Sequence, residues 1–250
     1  MLERIKHGPV LELRLNRPPE NAFNLPLVAN LLQAVTSAPR EKAQAIVLSG
    51  MNGIFSVGAD VPEILAMERN ETQRYFVAFH DLCQAIGRSP IPIVAAITGH
   101  APASATVLCL FCDYRVMARG EYQIGLNEVH AGVTVPHPVR VMMSRLIGAR
   151  MAERLIVEGR LLYPDDALRI GLVDETAPPE TVVACALAYC RRLLALPTDA
   201  MNAVRDAFHE DVNKLLNHRD AIIDELINDW FAEDTQSSLR AIAGMSKPEE

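Results

Sequence analysis

The stretch from residue 93 to residue 128 constrains the fold more than any other part of the chain. It begins with a run of apolar and β-branched residues at 93–98, which is typical of a strand buried on both faces. Gly99 interrupts this run, and the proline and small residues at 102–105 favour a helix that starts close to another backbone segment. The residues at 113–116 predict a second strand.

An acidic residue ends this stretch in an otherwise apolar neighbourhood. Glu128 follows the residues Ile-Gly-Leu-Asn. The preceding helix start offers backbone N–H groups to an anion, and a carboxylate in an apolar pocket can act as a base near neutral pH. The stretch therefore indicates a site for proton transfer beside a developing negative charge. Without a wider motif, the ordinary interpretation of Glu128 is a solvated acid in a turn.

Composition limits the class of protein and its partners. The chain has 250 residues, of which 50% are hydrophobic and 22% charged, so it can bury a sizeable core. A net charge of −7 without a basic stripe argues against nucleic acid or an anionic membrane as partner. We find no signal-like leader and no run of about twenty apolar residues.

The cysteines point to a reducing compartment. There are five, an odd number, and they lie in apolar segments. Free buried thiols are the favoured interpretation, and we expect a cytoplasmic location. Cys109 and Cys112 have a metal-like spacing, but no second pair accompanies them, so no metal site is predicted.

The order of elements predicts one structural unit of α/β class. Strands alternate with helices in the first half, and helices dominate the last hundred residues. We assign residues 1–195 to an α/β core and residues 196–250 to a helical C-terminal region of the same unit.

Six short motifs lie in an order and spacing that resemble the enoyl-CoA hydratase/isomerase (crotonase) superfamily. They are NRPPENA at 16–22, FSVGAD at 55–60, AITGH at 96–100, CDYR at 112–115, IGLNE at 124–128 and ALRIGLVD at 167–174. Each is weak alone, but six in register from about residue 2 to about residue 230 are strong. CDYR and IGLNE are most similar to the mitochondrial-type Δ3,Δ2-enoyl-CoA isomerases. The resemblance implies a crotonase (ClpP/crotonase-like) fold with a repeated ββα-type spiral core.

The resemblance also implies a mechanism. The thioester carbonyl of an acyl-CoA would lie between the backbone N–H groups of Ala59 and Ser104, which form an oxyanion hole. Glu128 would remove a proton from C2 of a 3-enoyl chain and return it at C4. The coenzyme A thioester is the substrate, and no further cofactor is implied.

Two positions are informative when compared with the family pattern. One distinguishes isomerases from hydratases, and the other departs from the usual family sequence. Hydratases of the family hold water with a second glutamate, which would lie at Val107. A valine does not position water, so the resemblance favours isomerase over hydratase. The family usually has Gly-Gly where this chain has Ser104 and Ala105. The backbone donor remains, although a Cβ can obstruct close approach of another backbone.

The remaining site residues come from the same resemblance. The adenine and pantetheine of CoA would follow residues 22–23 and 56–61, largely through backbone groups, and the loop after Glu128 would line the acyl pocket. The full substrate- and CoA-binding set is Ala22, Phe23, Ser56, Gly58, Asp60, Val61, His100, Val107, Asn127 and His137. Family members are usually trimers or dimers of trimers, so we expect residues 196–250 to be a trimerisation region whose helices cover a neighbouring subunit.

Alternatives stay open at this point. Ser104 and His130 resemble the serine and histidine of a Clp-like serine hydrolase, which requires the two side chains within hydrogen-bond reach. A second alternative is an acyl-CoA-binding protein without turnover. A third is a different crotonase-family reaction, such as enoyl-CoA hydration. His137 is interpreted as a lining residue rather than a second acid or base.

Overall fold

The computed structural model describes residues 1–244, which form nine strands, eleven α-helices and two short 3-10 turns. The strands are β1 (Leu2–His7), β2 (Val10–Leu15), β3 (Ala45–Ser49), β4 (Gly53–Ile54), β5 (Ile93–Ile97), β6 (Gly99–Pro102), β7 (Tyr114–Ala118), β8 (Ile124–Gly125) and β9 (Glu175–Ala177). The helices are α1 (Leu25–Ser37), α2 (Val61–Leu65), α3 (Arg69–Gly87), α4 (Ser104–Leu110), α5 (His137–Ile147), α6 (Ala149–Glu158), α7 (Pro164–Ile170), α8 (Val182–Leu194), α9 (Thr198–Leu216), α10 (Arg219–Trp230) and α11 (Glu233–Ile242).

Two sheets organise the core. The larger sheet has the order β1-β2-β3-β5-β7-β9, and it is parallel except for the β1–β2 hairpin. The smaller sheet has the order β4-β6-β8 and is parallel. The chain passes from the larger sheet to the smaller one three times, from β3 to β4, β5 to β6 and β7 to β8. This repetition is the spiral core that the motifs predict.

Gly99 has a different role from the one its sequence suggests. It begins β6 instead of ending regular structure, and it pairs with Gly53 of β4. A Cβ atom at Gly99 would lie 1.9 Å from the carbonyl carbon of Gly53, so only glycine allows this approach. The close contact holds the smaller sheet together immediately before α4.

Hydrophobic side chains cover both faces of the larger sheet. One face packs against α1, α3, α4 and α5 in the main core, which contains most of the fully buried residues. The other face packs against α8 through a smaller cluster that includes Val47, Val94 and Val116. Burial on both faces explains why β3 and β5 are continuous apolar runs instead of alternating patterns.

A buried polar network joins the hairpin to the sheet. Glu12 on β2 is 0% exposed. Its carboxylate accepts a hydrogen bond from Ser49 Oγ at 2.7 Å, contacts His7 Nε2 at 2.7 Å and accepts from Arg14 Nε at 3.0 Å. Every oxygen of this carboxylate therefore has a partner, which is the usual condition for a charged group inside a protein.

The C-terminal helices pack on their own chain. Arg205 of α9 forms a bidentate ion pair with Asp113, with both N–O distances at 2.8 Å. Trp230 of α10 packs edge-on against Phe76 of α3, and Thr235 of α11 donates a hydrogen bond to the Gly132 carbonyl at 3.0 Å. Helices α10 and α11 thereby cover a pocket of the same chain.

The cysteines and helix lengths bear on two further predictions. All five cysteines are free, and four of them are buried while Cys185 is half-buried. No single helix of residues 1–244 is both long and apolar enough to cross a membrane, and only the pair Pro179–Leu194 and Thr198–Leu216, bent by 110°, meets that test jointly. The last residues of the predicted C-terminal region, 245–250, lie outside the described residues.

Candidate active site

A mainly apolar pocket of about 240 Å³ lies between α3, α4, the 3-10 turn Glu128–Ala131 and the C-terminal helices. Most of its lining side chains are aliphatic or aromatic. Its more polar lining residues are His80, Cys83, Ser104, Asn127, Glu128 and Thr134. A concave, apolar site with a few converging polar groups is the usual form of a small-molecule site.

Glu128 is the acidic residue of this pocket. β8 leads into the 3-10 turn, and Glu128 is the first residue of that turn. Its Oε2 is buried and has no hydrogen-bond partner. Burial raises the pKa of Glu128 to about 7, against a smaller opposing effect from the backbone N–H groups of Glu128 and Asn127. The carboxyl is therefore half-ionised near neutral pH, which suits a group that both accepts and returns a proton.

Ala59 turns its backbone N–H away from the neighbouring chain segment. The N–H of Phe23 donates to the Gly58 carbonyl at 2.7 Å, and the N–H of Asp60 donates to the Phe23 carbonyl at 3.0 Å. In such a parallel bridge, Phe23 bonds to the residues on either side of Ala59, so the N–H of Ala59 itself faces the other way. Ala59 also lines the pocket.

Ser104 supplies a second backbone N–H at the first position of α4. The first hydrogen bond of this helix runs from the Val107 N–H to the Ala103 carbonyl at 3.0 Å, which leaves the Ser104 N–H before it without an intrahelical partner. Ser104 lines the same pocket as Ala59 and Glu128. The structure thus brings together the three predicted catalytic residues.

Local backbone geometry holds the two donor segments side by side. Gly58 has φ +91°, and a Cβ atom there would lie 3.3 Å from the Ser104 nitrogen. Ala103 has φ +50°, a value that a residue with a side chain rarely adopts. Backbone conformations of this kind persist where surrounding structure enforces them, and they are frequent at functional sites.

Val107, Val61 and Asn127 also line the pocket, as the resemblance implies. Val107 lies one helical turn beyond Ser104, and the lining contributed by the described residues contains no carboxyl group besides that of Glu128. The Oδ1 atom of Asn127 is buried without a hydrogen-bond partner, like Oε2 of Glu128.

Three predicted contact residues shape the binding loop instead of facing the pocket. Phe23 is 0% exposed and packs against Phe79 with ring centroids 5.9 Å apart. The Ser56 hydroxyl is buried, donates to the Asn21 carbonyl at 2.7 Å and accepts from the Gly58 N–H at 3.0 Å. The carbonyl of Ala22 accepts a hydrogen bond from Arg17 at 3.1 Å. The side chains of Phe23 and Ser56 are therefore unavailable to a ligand.

Three other predicted contact residues also lie outside the pocket lining. Asp60 caps α2 by accepting from the Glu63 N–H at 3.1 Å, and it pairs with Arg17 at 2.7 Å. His100 accepts from the Gln123 N–H at 3.2 Å through Nδ1 and does not line the pocket. His137 is an exposed residue at the start of α5, outside the lining, because the prolines on both sides of it face the pocket instead.

The structure also contradicts the serine hydrolase alternative. His130 is exposed, and its Nε2 lies 3.1 Å from the Glu158 carbonyl oxygen, to which it donates a hydrogen bond. The ring lies against Gly159 and is absent from the pocket that contains Ser104. Among the described residues, no histidine ring is hydrogen-bonded to Ser104, as activation of a serine nucleophile requires.

Most of the apolar wall of the pocket was not predicted from the sequence. One side of the pocket is formed by a single face of α3, which presents Phe76, Phe79, His80 and Cys83. His80 Nε2 donates to the Leu216 carbonyl at 2.9 Å, and burial lowers the pKa of His80, so its ring is neutral. The apolar periodicity of α3 was available as a signal, but it does not distinguish a pocket wall from core.

Helices α9, α10 and α11 close the opposite side of the pocket. This wall is formed by apolar side chains of the three helices, namely Leu216, Ile222, Leu226, Trp230, Leu239 and Ile242. These helices are far from residue 128 in sequence, so nothing in the local pattern places them there. The catalytic groups come from the α/β core, whereas much of the apolar enclosure comes from the C-terminal region.

The spiral core, the two unpartnered N–H groups and the buried carboxyl define a crotonase-fold enzyme that acts on acyl-CoA thioesters. Comparison with known proteins agrees with this class. The family model described as Enoyl-CoA hydratase/isomerase matches residues 6–249, and the chain belongs to this family.

Individual relatives include both isomerases and hydratases. The chain is 29% identical over 235 residues to Enoyl-CoA delta isomerase 1, mitochondrial, of Homo sapiens, covering 92% of this chain and 78% of that protein. It is 31% identical over 194 residues to Probable enoyl-CoA hydratase echA17 of Mycobacterium avium (strain 104), covering 77% and 75%. The crystal structure of human mitochondrial delta3-delta2-enoyl-CoA isomerase superimposes with a TM-score of 0.93 at 27% identity, covering 97% of this chain and 96% of the human one.

Proposed function

We propose that the protein is a Δ3,Δ2-enoyl-CoA isomerase in which Glu128 moves the proton. The observation that carries the proposal is a carboxyl with a buried, unpartnered oxygen in the same pocket as two residues with unpartnered backbone N–H groups, with no second carboxyl in the described pocket lining. A reaction that needs one acid/base group fits this arrangement better than a reaction that needs two.

The proposed reaction proceeds through an enolate. The thioester oxygen accepts hydrogen bonds from the N–H groups of Ala59 and Ser104. The Glu128 carboxylate takes a proton from C2, and the electron pair of the broken C–H bond moves into the C1–C2 bond as the thioester oxygen gains negative charge. The same carboxyl then returns the proton to C4, which leaves the double bond between C2 and C3. Fixed donors aimed at the developing charge are typically worth about 2.7–4 kcal/mol each.

The environment of Glu128 supports both proton transfers. A carboxylate with an ordinary pKa is a weak base, and its conjugate acid is soon lost to water. A pKa of about 7 makes the carboxylate more basic and the carboxylic acid persistent enough to protonate C4. The apolar wall of α3 and α10 keeps competing water away from the enolate.

Enoyl-CoA hydration is the second candidate, because hydratases are among the relatives at similar identity. Activation of water in the family uses a second glutamate at the position of Val107. Val107 has no group that binds water, so we expect hydration to be slow.

A direct assay separates the candidates. Purified protein is incubated with 3-enoyl-CoAs of several chain lengths, and formation of 2-trans-enoyl-CoA is followed by its conjugated absorbance. Hydration of crotonyl-CoA is measured in parallel. Isomerisation much faster than hydration supports the proposal. The reverse order indicates a hydratase, and acyl-CoA binding without either turnover indicates a binding protein.

We further propose that residues 196–250 take part in a homotrimer or a dimer of trimers. Large apolar side chains are exposed on α9 and α6, where Phe208 and Val157 are each 72% exposed. A head-to-tail contact between two different surfaces generates a ring when the rotation closes. Size-exclusion chromatography with light scattering measures the number of subunits, and a monomer would contradict the proposed trimer. The cytoplasmic location stays a prediction.

A further inference from the structure

The side chain of Ser104 has a hydroxyl that the reaction described above does not use. Ser104 is half-buried and lines the pocket. The described residues make no hydrogen bond to this hydroxyl, yet it is not among the buried side-chain atoms that lack a partner. The hydroxyl therefore reaches open space in the pocket, beside the N–H of its own residue.

The neighbouring hydroxyl of Thr106 shows the contrast. Thr106 is fully buried, and its Oγ1 accepts from the Gly125 N–H at 2.8 Å and lies within hydrogen-bond distance of the Ala101 carbonyl at 2.5 Å. This hydroxyl joins α4 to β6 and β8 and has no capacity left for a ligand. Of the two hydroxyls at the start of α4, that of Ser104 is the free one.

A nucleophilic role does not fit Ser104. A serine hydroxyl needs a hydrogen-bonded base to become a nucleophile. His130 is bonded to the Glu158 carbonyl outside the pocket and His80 to the Leu216 carbonyl, and neither ring is hydrogen-bonded to Ser104. Without that base the hydroxyl keeps its proton. Its remaining chemistry is to donate that proton in a hydrogen bond.

We propose that the Ser104 hydroxyl is a third donor of the oxyanion hole, beside the N–H groups of Ala59 and Ser104. This inference rests on the proposed enolate reaction. Because one residue supplies both an N–H and an O–H, the two donors can converge on a single oxygen atom. The second, independent indication of a ligand here is the buried carboxyl of Glu128, whose Oε2 has no partner in the same pocket.

The third donor acts on the charged state more than on the ground state. A hydrogen bond to an anionic oxygen is roughly twice as strong as one between neutral groups. The neutral thioester gains little from the hydroxyl, whereas the enolate gains much more. Ser104 thus lowers the barrier instead of tightening substrate binding, and no proton leaves the serine.

The test compares Ser104→Ala, which keeps the Cβ and removes the hydroxyl, with Ser104→Gly and Ser104→Thr. Ser37→Ala, which removes a hydroxyl from α1 outside the pocket, is the control. Ser104→Ala and Ser104→Gly should each lower kcat for 3-enoyl-CoA about 100-fold, near the lower end of losses seen for an oxyanion-hole donor. Ser104→Thr should retain most activity, and Kd for a saturated acyl-CoA should stay unchanged in all variants.

A second readout does not depend on isomerisation. Acetoacetyl-CoA is a β-keto thioester that ionises to an absorbing enolate, so its pKa when bound reports directly on the oxyanion hole. Ser104→Ala should raise the pKa of the bound ligand by about 2 units, the equivalent of the hundredfold loss. If Ser104→Ala leaves this pKa and kcat unchanged, or if Ser104→Gly is faster than the parent, the inference is wrong. Enolate formation without isomerase activity would contradict only the proposed function.

Discussion

Two buried glutamates in this chain have opposite environments. Glu12 on β2 is fully buried and receives hydrogen bonds from Ser49 and Arg14, with His7 at 2.7 Å. The Oε2 atom of Glu128, in the pocket, is also buried but has no hydrogen-bond partner. The same side chain is therefore satisfied in the sheet and unsatisfied in the pocket.

The pKa values follow from this difference. Burial acts to raise the pKa of Glu12, but the hydrogen bonds of Ser49 and His7 and the charge of Arg14 outweigh it, so the pKa lies below the ordinary value. For Glu128 burial dominates, and the pKa rises to about 7. Burial alone does not identify a catalytic acid. A buried acid whose partners are missing is a candidate for function, since a structural acid is paired.

Replacing each glutamate by glutamine gives the largest expected contrast. Glu128→Gln removes the proposed acid/base group and should lower kcat for 3-enoyl-CoA isomerisation by about 10⁴-fold, the upper end of the usual range for such a group. Glu12→Gln should leave kcat unchanged, because Glu12 is outside the pocket. Steady-state kinetics on the two purified variants make this comparison.

The controls for this contrast are acyl-CoA binding and folding. Glu128→Gln should bind a saturated acyl-CoA as the parent does, which calorimetry measures, and its circular dichroism should match that of the parent. Substantial activity in Glu128→Gln would show that another group moves the proton, and Asn127 would then be the first residue to replace.

The pH dependence of the unmodified protein gives the next largest effect. The carboxylate is the active form for taking the C2 proton, so kcat/KM should be constant above the pKa of about 7 and fall below it. The fall should approach tenfold per pH unit, which gives about a 100-fold loss between the high-pH plateau and pH 5. A profile that stays flat down to pH 5 would assign Glu128 an ordinary pKa and would remove the basis of the comparison with Glu12.

The sequence predicts the larger sheet well and the smaller sheet poorly. β3 and β5 are largely continuous apolar runs and β2 alternates apolar with charged residues, and both patterns carry a strong signal for strands. β4 and β8 have two residues each, too few for any periodicity. The pairing of β4 with β6 depends on the close approach of Gly53 and Gly99, which only the folded chain shows.

The residues of the site also differ in how far the sequence predicts them. The proposed catalytic residues Glu128, Ala59 and Ser104 are recognisable because they lie within motifs of fixed spacing. The predicted contact residues His100, His137 and Asp60 lie outside the pocket lining, because a motif gives a residue's position and not the direction of its side chain. Sequence alone also gave no reason to regard Glu12 as buried, since it alternates with apolar residues as a solvent-facing strand residue does.

The two substitutions should rank in the opposite order for stability: Glu12→Gln should destabilise the fold more than Glu128→Gln does. Glu12→Gln removes the carboxylate that His7 and Arg14 contact, leaving Arg14 only its pair with Glu3 at 3.5 Å, and should lower the free energy of unfolding by about 2 kcal/mol, within the range for hydrogen bonds to charged groups. Glu128→Gln should not be less stable than the parent at pH 8, since a buried and unpartnered charge is removed. Urea unfolding of the three proteins provides the values.

The sign of the pH effect checks the origin of this loss. The folded pKa of Glu12 is lowered, so its stabilisation is present above the unfolded pKa and is lost as pH falls through the folded value. The difference between parent and Glu12→Gln should therefore shrink on acidification below about pH 4.3, the ordinary glutamate value. A difference that is independent of pH would indicate altered packing of the hairpin and not loss of a charge interaction.

The smallest expected effect isolates one donor of the Glu12 network. Ser49→Ala removes the hydroxyl that donates to Glu12 at 2.7 Å and leaves Arg14 as the remaining donor to the same oxygen. The free energy of unfolding should fall by about 1 kcal/mol, and the pKa of Glu12 should rise because a bond to its charged form is lost. Acid-induced loss of stability then begins at a higher pH than in the parent, whereas isomerase activity is unaffected. A double-mutant cycle with Glu12→Gln measures the coupling between the two groups. If the two losses simply add, Ser49 stabilises the sheet independently of Glu12, and the low pKa of Glu12 must then come from His7 and Arg14.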